Sequence, residues 1–266
     1  MDWDNELGDW RAEDARATPR AHGSRGSRRV SSPIIVTIDG PAGTGKSSAA
    51  AQLADRLGFD MLDTGAMYRA VALLALEHQI DPHDEPALGI AIDRSNLLID
   101  FSSRPPVIRL NLRDVHERIR DADVTAIVSL IASHHAVRVR MVDAQRQVAL
   151  QHDRLVTEGR DQGSVVFPNA TVRVWLDARP EVRANRRTVE LRGRGQQVDE
   201  RRVLAEIIAR DASDRGRLEG PLLQPTGSHA IDTSDISFDE VVIALERLVR
   251  ARLGAVSSRC GCGGGA

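Results

Sequence analysis

The run IIVTIDGPAGTGKSSAAAQLADRLG, residues 34–58, constrains the fold more than any other stretch of the chain. IIVTID (34–39) is short, apolar and β-branched, so it reads as a strand buried on both faces of a parallel sheet. SSAAAQLADRLG reads as a helix closed by Gly58. Between them, Gly40, Gly45, Lys46 and Ser47 fit G-x-x-x-x-G-K-[ST], directly after a strand and opening a helix, which is the context that motif demands. Glycines let backbone N–H groups converge on phosphate oxygens, and the helix N-terminus adds partial positive charge. The motif predicts a phosphate-binding loop formed by Gly40, Pro41, Ala42, Gly43, Thr44, Gly45, Lys46, Ser47 and Ser48, compatible with a nucleotide-dependent switch, motor, transporter subunit or kinase. Ser47 is placed to hold Mg²⁺.

Lys46 is the only lysine among the 36 Lys and Arg residues of the chain. An ammonium is a compact point charge on a slim stem, whereas guanidinium is a wide planar fork. The surface tolerates arginine everywhere, and the phosphate loop does not. Lys46 is therefore expected to be catalytic.

Alternating strands and helices follow: FDMLD, AMYRAVALLALEHQ, the long helix ASHHAVRVRMVDAQRQVALQH, RLVTEG, TVRVWLD, PEVRANRRTVELRGRG, DERRVLAEIIARDASDR and HAIDTS. The last helix, SFDEVVIALERLVRARLG, opens with a capping box (Ser237, Glu240) and is expected to stop at Gly254. The pattern predicts an α/β fold with a doubly wound parallel sheet. Residues 81–130 are more polar, and NLLIDF and VIRLNL within them predict an insertion with its own small sheet. The expected organisation is a disordered tail over 1–32, one folded domain over 33–254, and a flexible Gly/Cys tail over 255–266.

With 41% hydrophobic but only 3% aromatic residues, the core must be built from Leu, Ile, Val and Ala. A net charge of −2 argues against a general polyanion binder, so no nucleic-acid partner is expected. No apolar run reaches the ~18 residues of a membrane span. The only cysteines, Cys260 and Cys262, lie at the C-terminal end, so there is no disulfide framework and a cytoplasmic setting is expected.

The remaining arginines suggest the acceptor. Arg69, in DTGAMYRA, and Arg160, in EGRDQG, both stand beside turns at the C-terminal edge of predicted strands, where such sheets bind ligands. RANRR (183–187) and RDASDRGR (210–217) add more. Guanidiniums suit phosphates through paired donors. A phosphate monoester, with its second pKa near 6, is already an anion at neutral pH and needs no general base.

IDGPAGTGKS, DTGAMYRA, IRDADVTAIVS, EGRDQGSVVFP, RDASDRGRLEGPL and IDTS stand in the order and spacing of bacterial cytidylate kinases, which this sequence resembles over roughly 33–252. The resemblance implies a phosphate-loop kinase core, an enlarged monophosphate-binding insertion at about 81–130 and a mobile lid at about 183–197. The implied activity is Mg²⁺-dependent transfer from ATP to CMP and dCMP in pyrimidine metabolism, by a protein expected to be a monomer. It implies that Thr64 and Asp161 bind cytosine, with Arg120 at the ring and phosphate side. Arg69 and Arg160 hold the transferring phosphates, Arg210 and Asp214 face the sugar, and Arg217 meets the CMP phosphate. Arg183, Arg186 or Arg187 act from the lid, Arg186 and Arg187 as catalytic candidates. Cytosine N4 donates to a carboxylate, whereas uracil offers Asp161 an acceptor.

Three departures from the family pattern stand out. His116 replaces a small hydroxyl residue near the ribose, which bears on ribose against deoxyribose preference. Gln162 replaces an aliphatic residue beside Asp161, which bears on base selectivity. Glu219-Gly220 replaces small apolar residues before PL. Two other readings are open: a kinase for another acceptor such as UMP, and a nucleotide-dependent switch with no acceptor.

Overall fold

The computed structural model describes residues 33–260. The segment 1–32, expected to be disordered, and residues 261–266, with Cys262, lie outside the described residues.

Five strands form one parallel sheet: β1 (Ile34–Asp39), β2 (Asp60–Asp63), β6 (Arg154–Gly159), β7 (Val172–Asp177) and β8 (His229–Asp232). Their spatial order is β2-β6-β1-β7-β8. The chain leaves β1 toward one edge of the sheet and later returns to build the other, so β1 marks a switch point with a crevice above its C-terminal end. β1 and β6 are buried over most of their length, with apolar residues in the middle and Asp39 and Glu158 brought to the C-terminal edge. Helices α1 (Lys46–Leu57) and α8 (Phe238–Cys260) cover one face, where Leu53, Val242 and Leu245 are fully buried. α2 (Thr64–Glu77) and α5 (His135–Gln151) cover the other, with Leu73 and Met141 inside. Among the described residues, the largest fully buried side chains are Ile, Leu and Met, the core that so few aromatics dictate.

Residues 81–130 carry the expected second sheet, three strands in the order β3 (Leu97–Asp100), β4 (Val107–Leu110) and β5 (Arg113–Asp114). They also carry two helices that sequence reasoning did not assign, α3 (Glu85–Arg94) and α4 (Ala122–Ile131). The α3 signal was present: Asp84 caps Ala87 N at 3.0 Å and Pro86 occupies the first turn. After β7 come α6 (Pro180–Gly193) and α7 (Glu200–Arg215), joined through Gly195 in a left-handed turn (φ 78°).

The last helix does not stop at Gly254 but runs on to Cys260. Gly58 ends α1 by turning left-handed, φ 65°, whereas Gly254 takes no such conformation. With no proline following, an interior glycine costs a helix only about 1 kcal/mol.

Candidate functional site

The phosphate loop rises from β1 into α1. A Cβ on Gly40 would stand 2.0 Å from Leu176 O, so only glycine lets the loop pass beneath β7. Gly45 turns left-handed (φ 88°) to start α1. Lys46 is buried, and its Nζ donates to Pro41 O at 2.7 Å inside its own loop. Burial, then repulsion from Arg160, lowers the Lys46 pKa to about 7, against the pull of Glu158 and Asp39.

Parallel register sets acids side by side at the sheet's edge: Asp63 opposite Glu158, and Asp39 opposite Gly159. Asp39 is buried and accepts from Gln162 N (2.8 Å) and Gly163 N (2.7 Å); burial still pushes its pKa up to about 7. Ser47 Oγ donates to Glu158 Oε1 at 2.8 Å. Burial, then the neighbouring Asp63 carboxylate, pushes Glu158 up to about 7. A divalent cation would relieve that repulsion, so Ser47, Glu158 and Asp63 together fit a hard metal ion. Glu158 was not foreseen, although EGRD placed it at a strand end opposite an aspartate.

Above this edge the arginines converge. Asp214, buried at the end of α7, accepts from Arg160 Nε at 3.0 Å, and its other oxygen takes Arg217 and Ser129 Oγ (2.8 Å). Burial acts to raise the Asp214 pKa, but Arg160, Arg217 and Arg210 outweigh it and hold the carboxyl below its ordinary value. Arg69 donates to Thr125 Oγ1 at 2.7 Å; burial lowers its pKa, and Arg187, Arg120 and Arg160 add repulsion against the pull of Asp63. Arg210 falls to about 10 through burial and then repulsion from Arg160. Six expected guanidiniums thus feel one another, and the loop ammonium feels two of them. Arg120 is exposed, but Arg69, Arg160, Arg210 and Arg217 are half-buried, and like charges held together partly out of water are costly unless an anion joins them.

The three arginines expected in the lid separate. Arg187 is the one that reaches the cluster, acting on Arg69. Arg183 is buried and locked: it pairs with Asp211 (2.7 Å) and donates to Ala42 O (3.0 Å) and Ala178 O (2.9 Å). It therefore braces the phosphate loop from behind. Arg186 is directed to Thr233, donating to its Oγ1 at 3.0 Å and to its backbone oxygen.

Asp161 is buried in an ion pair with Arg138 of α5, and Arg138 also lies 3.5 Å from the Tyr68 hydroxyl. Thr64 Oγ1 donates to Glu158 O at 2.7 Å, so its proton is engaged at the root of α2. Gln162 turns away from Asp161 into the core, accepting from Thr157 Oγ1 (2.8 Å) and donating to Gln145 Oε1 (3.1 Å). The Glu219-Gly220 departure now has a cause: Gly220 is left-handed (φ 58°) and abuts the Arg138–Asp161 pair, while Glu219 meets His135 Nδ1 at 2.6 Å. A cleft of about 200 Å³ opens from this site beside Ser47 and Asp63 and is lined by Ser48, Arg120 and His116, whose buried Nδ1 has no hydrogen-bond partner among the described residues.

The cytidylate kinase family's sequence model matches residues 36–251. The chain belongs to the cytidylate kinase family. A cytidylate kinase of Mycobacterium leprae (strain Br4923) is 44% identical over 223 residues, covering 84% of this chain and 98% of that protein. One from Pelotomaculum thermopropionicum is 43% identical over 222 residues, 83% of this chain and 96% of that protein. A bifunctional pantoate ligase/cytidylate kinase of Synechococcus sp. (strain CC9311) is also 43% identical over 222 residues, which make up 83% of this chain and 45% of that longer protein. The parallel sheet with a phosphate loop at its switch point is a kinase architecture of this family, and no helix among the described residues is long and apolar enough to cross a membrane. In this kinase, Arg138 and Glu158 extend the set of candidate site residues beyond those the sequence singled out.

Proposed function

We propose that this kinase transfers the γ-phosphoryl group of ATP to the phosphate of CMP or dCMP, giving ADP and CDP or dCDP. The observation that carries the reading is the guanidinium cluster around Asp214, set beside the phosphate loop and short of negative charge. Two polyanions brought together repel one another, and this cluster supplies the opposing charge.

The loop amides and Lys46 hold the donor. Ser47, with Glu158 and Asp63, would hold Mg²⁺, which when bound supplies charge to the β- and γ-phosphate oxygens. Arg69 and Arg160 align the acceptor, whose phosphate is anionic at neutral pH and attacks without a general base. Arg217, fixed by Asp214 and Ser129, meets the acceptor phosphate, with Arg210 behind it. Asp161 and Arg138 offer an acceptor and donors side by side, which match the N4 amine and the N3 and O2 of cytosine. Uracil offers Asp161 an oxygen instead, and an unpaired buried polar group costs about 1–3 kcal/mol. With Arg183 and Arg186 as fixed anchors, closure of lid residues 187–197 would bring Arg187 inward and exclude water as a rival acceptor.

The test is ADP production with CMP, dCMP, UMP and AMP in parallel. CMP and dCMP should turn over and UMP lag at least tenfold by that pairing cost. Slow ATP hydrolysis indifferent to CMP would overturn the reading.

A further inference from the structure

Gln162 is the most completely tied residue near the site. It is fully buried. Its N–H donates to Asp39 Oδ1 at 2.8 Å, and its carbonyl accepts from Phe167 N at 2.7 Å. Its side-chain oxygen accepts from Thr157 of β6, and its side-chain nitrogen donates to Gln145 of α5. Gly159 makes room for it: a Cβ there would stand 2.8 Å from Gln162 Cγ. A side chain with both ends bonded and no free rotamer fixes the backbone that carries it, and Asp161 is the preceding residue.

Asp161 in turn holds Arg138 of α5 in a buried ion pair, and Arg138 Nη1 lies 3.5 Å from the Tyr68 hydroxyl. Asp161 therefore rests on Gln162 through the chain, and Arg138 rests on Asp161.

We propose that Gln162 is a positioning residue for base discrimination, holding Asp161 and Arg138 in the relative orientation that tells cytosine from uracil. The inference rests on the proposed function above. Gln162 touches neither nucleotide. It works because a buried side chain hydrogen-bonded at both ends has few ways to rearrange, so the backbone that carries Asp161 is set by those bonds rather than by the ligand.

The experiment compares kcat and KM for CMP and UMP in the wild-type protein, Gln162→Met and Thr157→Val, with thermal midpoints alongside. Gln162→Met removes both side-chain bonds. Thr157→Val keeps the shape of the strand residue and removes the bond to the Gln162 side-chain oxygen while leaving Gln162 in place. In both, the CMP-over-UMP ratio of kcat/KM should fall, about tenfold in Gln162→Met, through a higher KM for CMP with kcat within about twofold. A lower midpoint with the ratio intact in Gln162→Met makes Gln162 merely structural and overturns the inference, as does an unchanged ratio in Thr157→Val should Gln162→Met fail to fold. A wild-type protein indifferent to the base would instead overturn the function on which the inference stands.

Discussion

Gly220 and Arg138 leave no room for a methyl group between them: a Cβ on Gly220 would stand 2.0 Å from the Arg138 Nη2 and 2.3 Å from Asp161 Oδ2. The residue is also left-handed, φ 58°, where any L side chain adds strain. The segment after α7 therefore uses glycine to lie directly on a buried ion pair. Gly220→Ala must displace the pair or the segment. The expected result is a rise of about tenfold or more in KM for CMP, with KM for ATP nearly unchanged, since breaking a buried pair is among the costliest single changes. Equal effects on both substrates would mean that Gly220 shapes the protein generally and not the acceptor side.

Arg183 and Arg187 lie one helical turn apart and predict opposite behaviour. Arg183 and Asp211 are each only 3% exposed, so Arg183→Gln strands a buried carboxylate and frees the Ala42 carbonyl. A loss of about 3–5 kcal/mol follows, a drop of roughly 10 °C in the thermal midpoint. Arg187 is a third exposed and paired with Glu190 at 2.7 Å. Arg187→Gln should leave the midpoint within about 2 °C while kcat falls about 100-fold, as expected for one lost donor to developing charge. Calorimetry and initial rates on the two variants check this, and a reversed pattern would give Arg183, not Arg187, the role at the transferring phosphate.

Lys46 is buried, and its Nζ donates to Pro41 O at 2.7 Å inside its own loop, a contact suited to a compact ammonium and not to a planar fork. Lys46→Arg should keep the secondary structure by circular dichroism and lose about 100-fold or more in kcat. Turnover near the wild-type rate would show that charge alone suffices. As the only lysine, Lys46 also gives a single side-chain site for an amine reagent, read by mass spectrometry, and ATP should protect it.

Much of this site was legible because its signals are local. A strand, a glycine loop and a helix adjoin in sequence, so residues 34–58 specified their own geometry. Arg69 and Arg160 were legible because each follows a strand end. Arg138 was not: in HAVRVRMVDAQR it looks like any arginine on a half-exposed helix, and only packing against Asp161 gives it meaning. Arg183 was read as a lid residue for the same reason, since RANRR does not say which arginine faces Asp211. The Gly254 stop failed because glycine alone marks a helix end only when the backbone turns left-handed there.

The pKa of about 7 on Lys46 makes ATP binding a protonation event. Burial and the Arg160 and Arg210 guanidiniums depress it; Glu158 and Asp39 oppose them. A bound triphosphate adds negative charge against the ammonium and raises its pKa back toward that of an ordinary lysine. A base whose pKa rises on binding takes up a proton. Uptake is absent well below pH 7, where Lys46 is already charged, and grows through pH 7 to 8. ATP affinity therefore weakens as pH rises above 7, by up to about tenfold per unit. Glu158 and Asp39, both also near 7, are pushed up by the same anion and contribute in the same direction. Calorimetric titration of metal-free ATP at pH 8, in two buffers of different ionisation heat, should give roughly one proton taken up per ATP bound. Lys46→Met should lower that number by the share Lys46 carries, and an unchanged number would place the uptake on the two carboxyls alone.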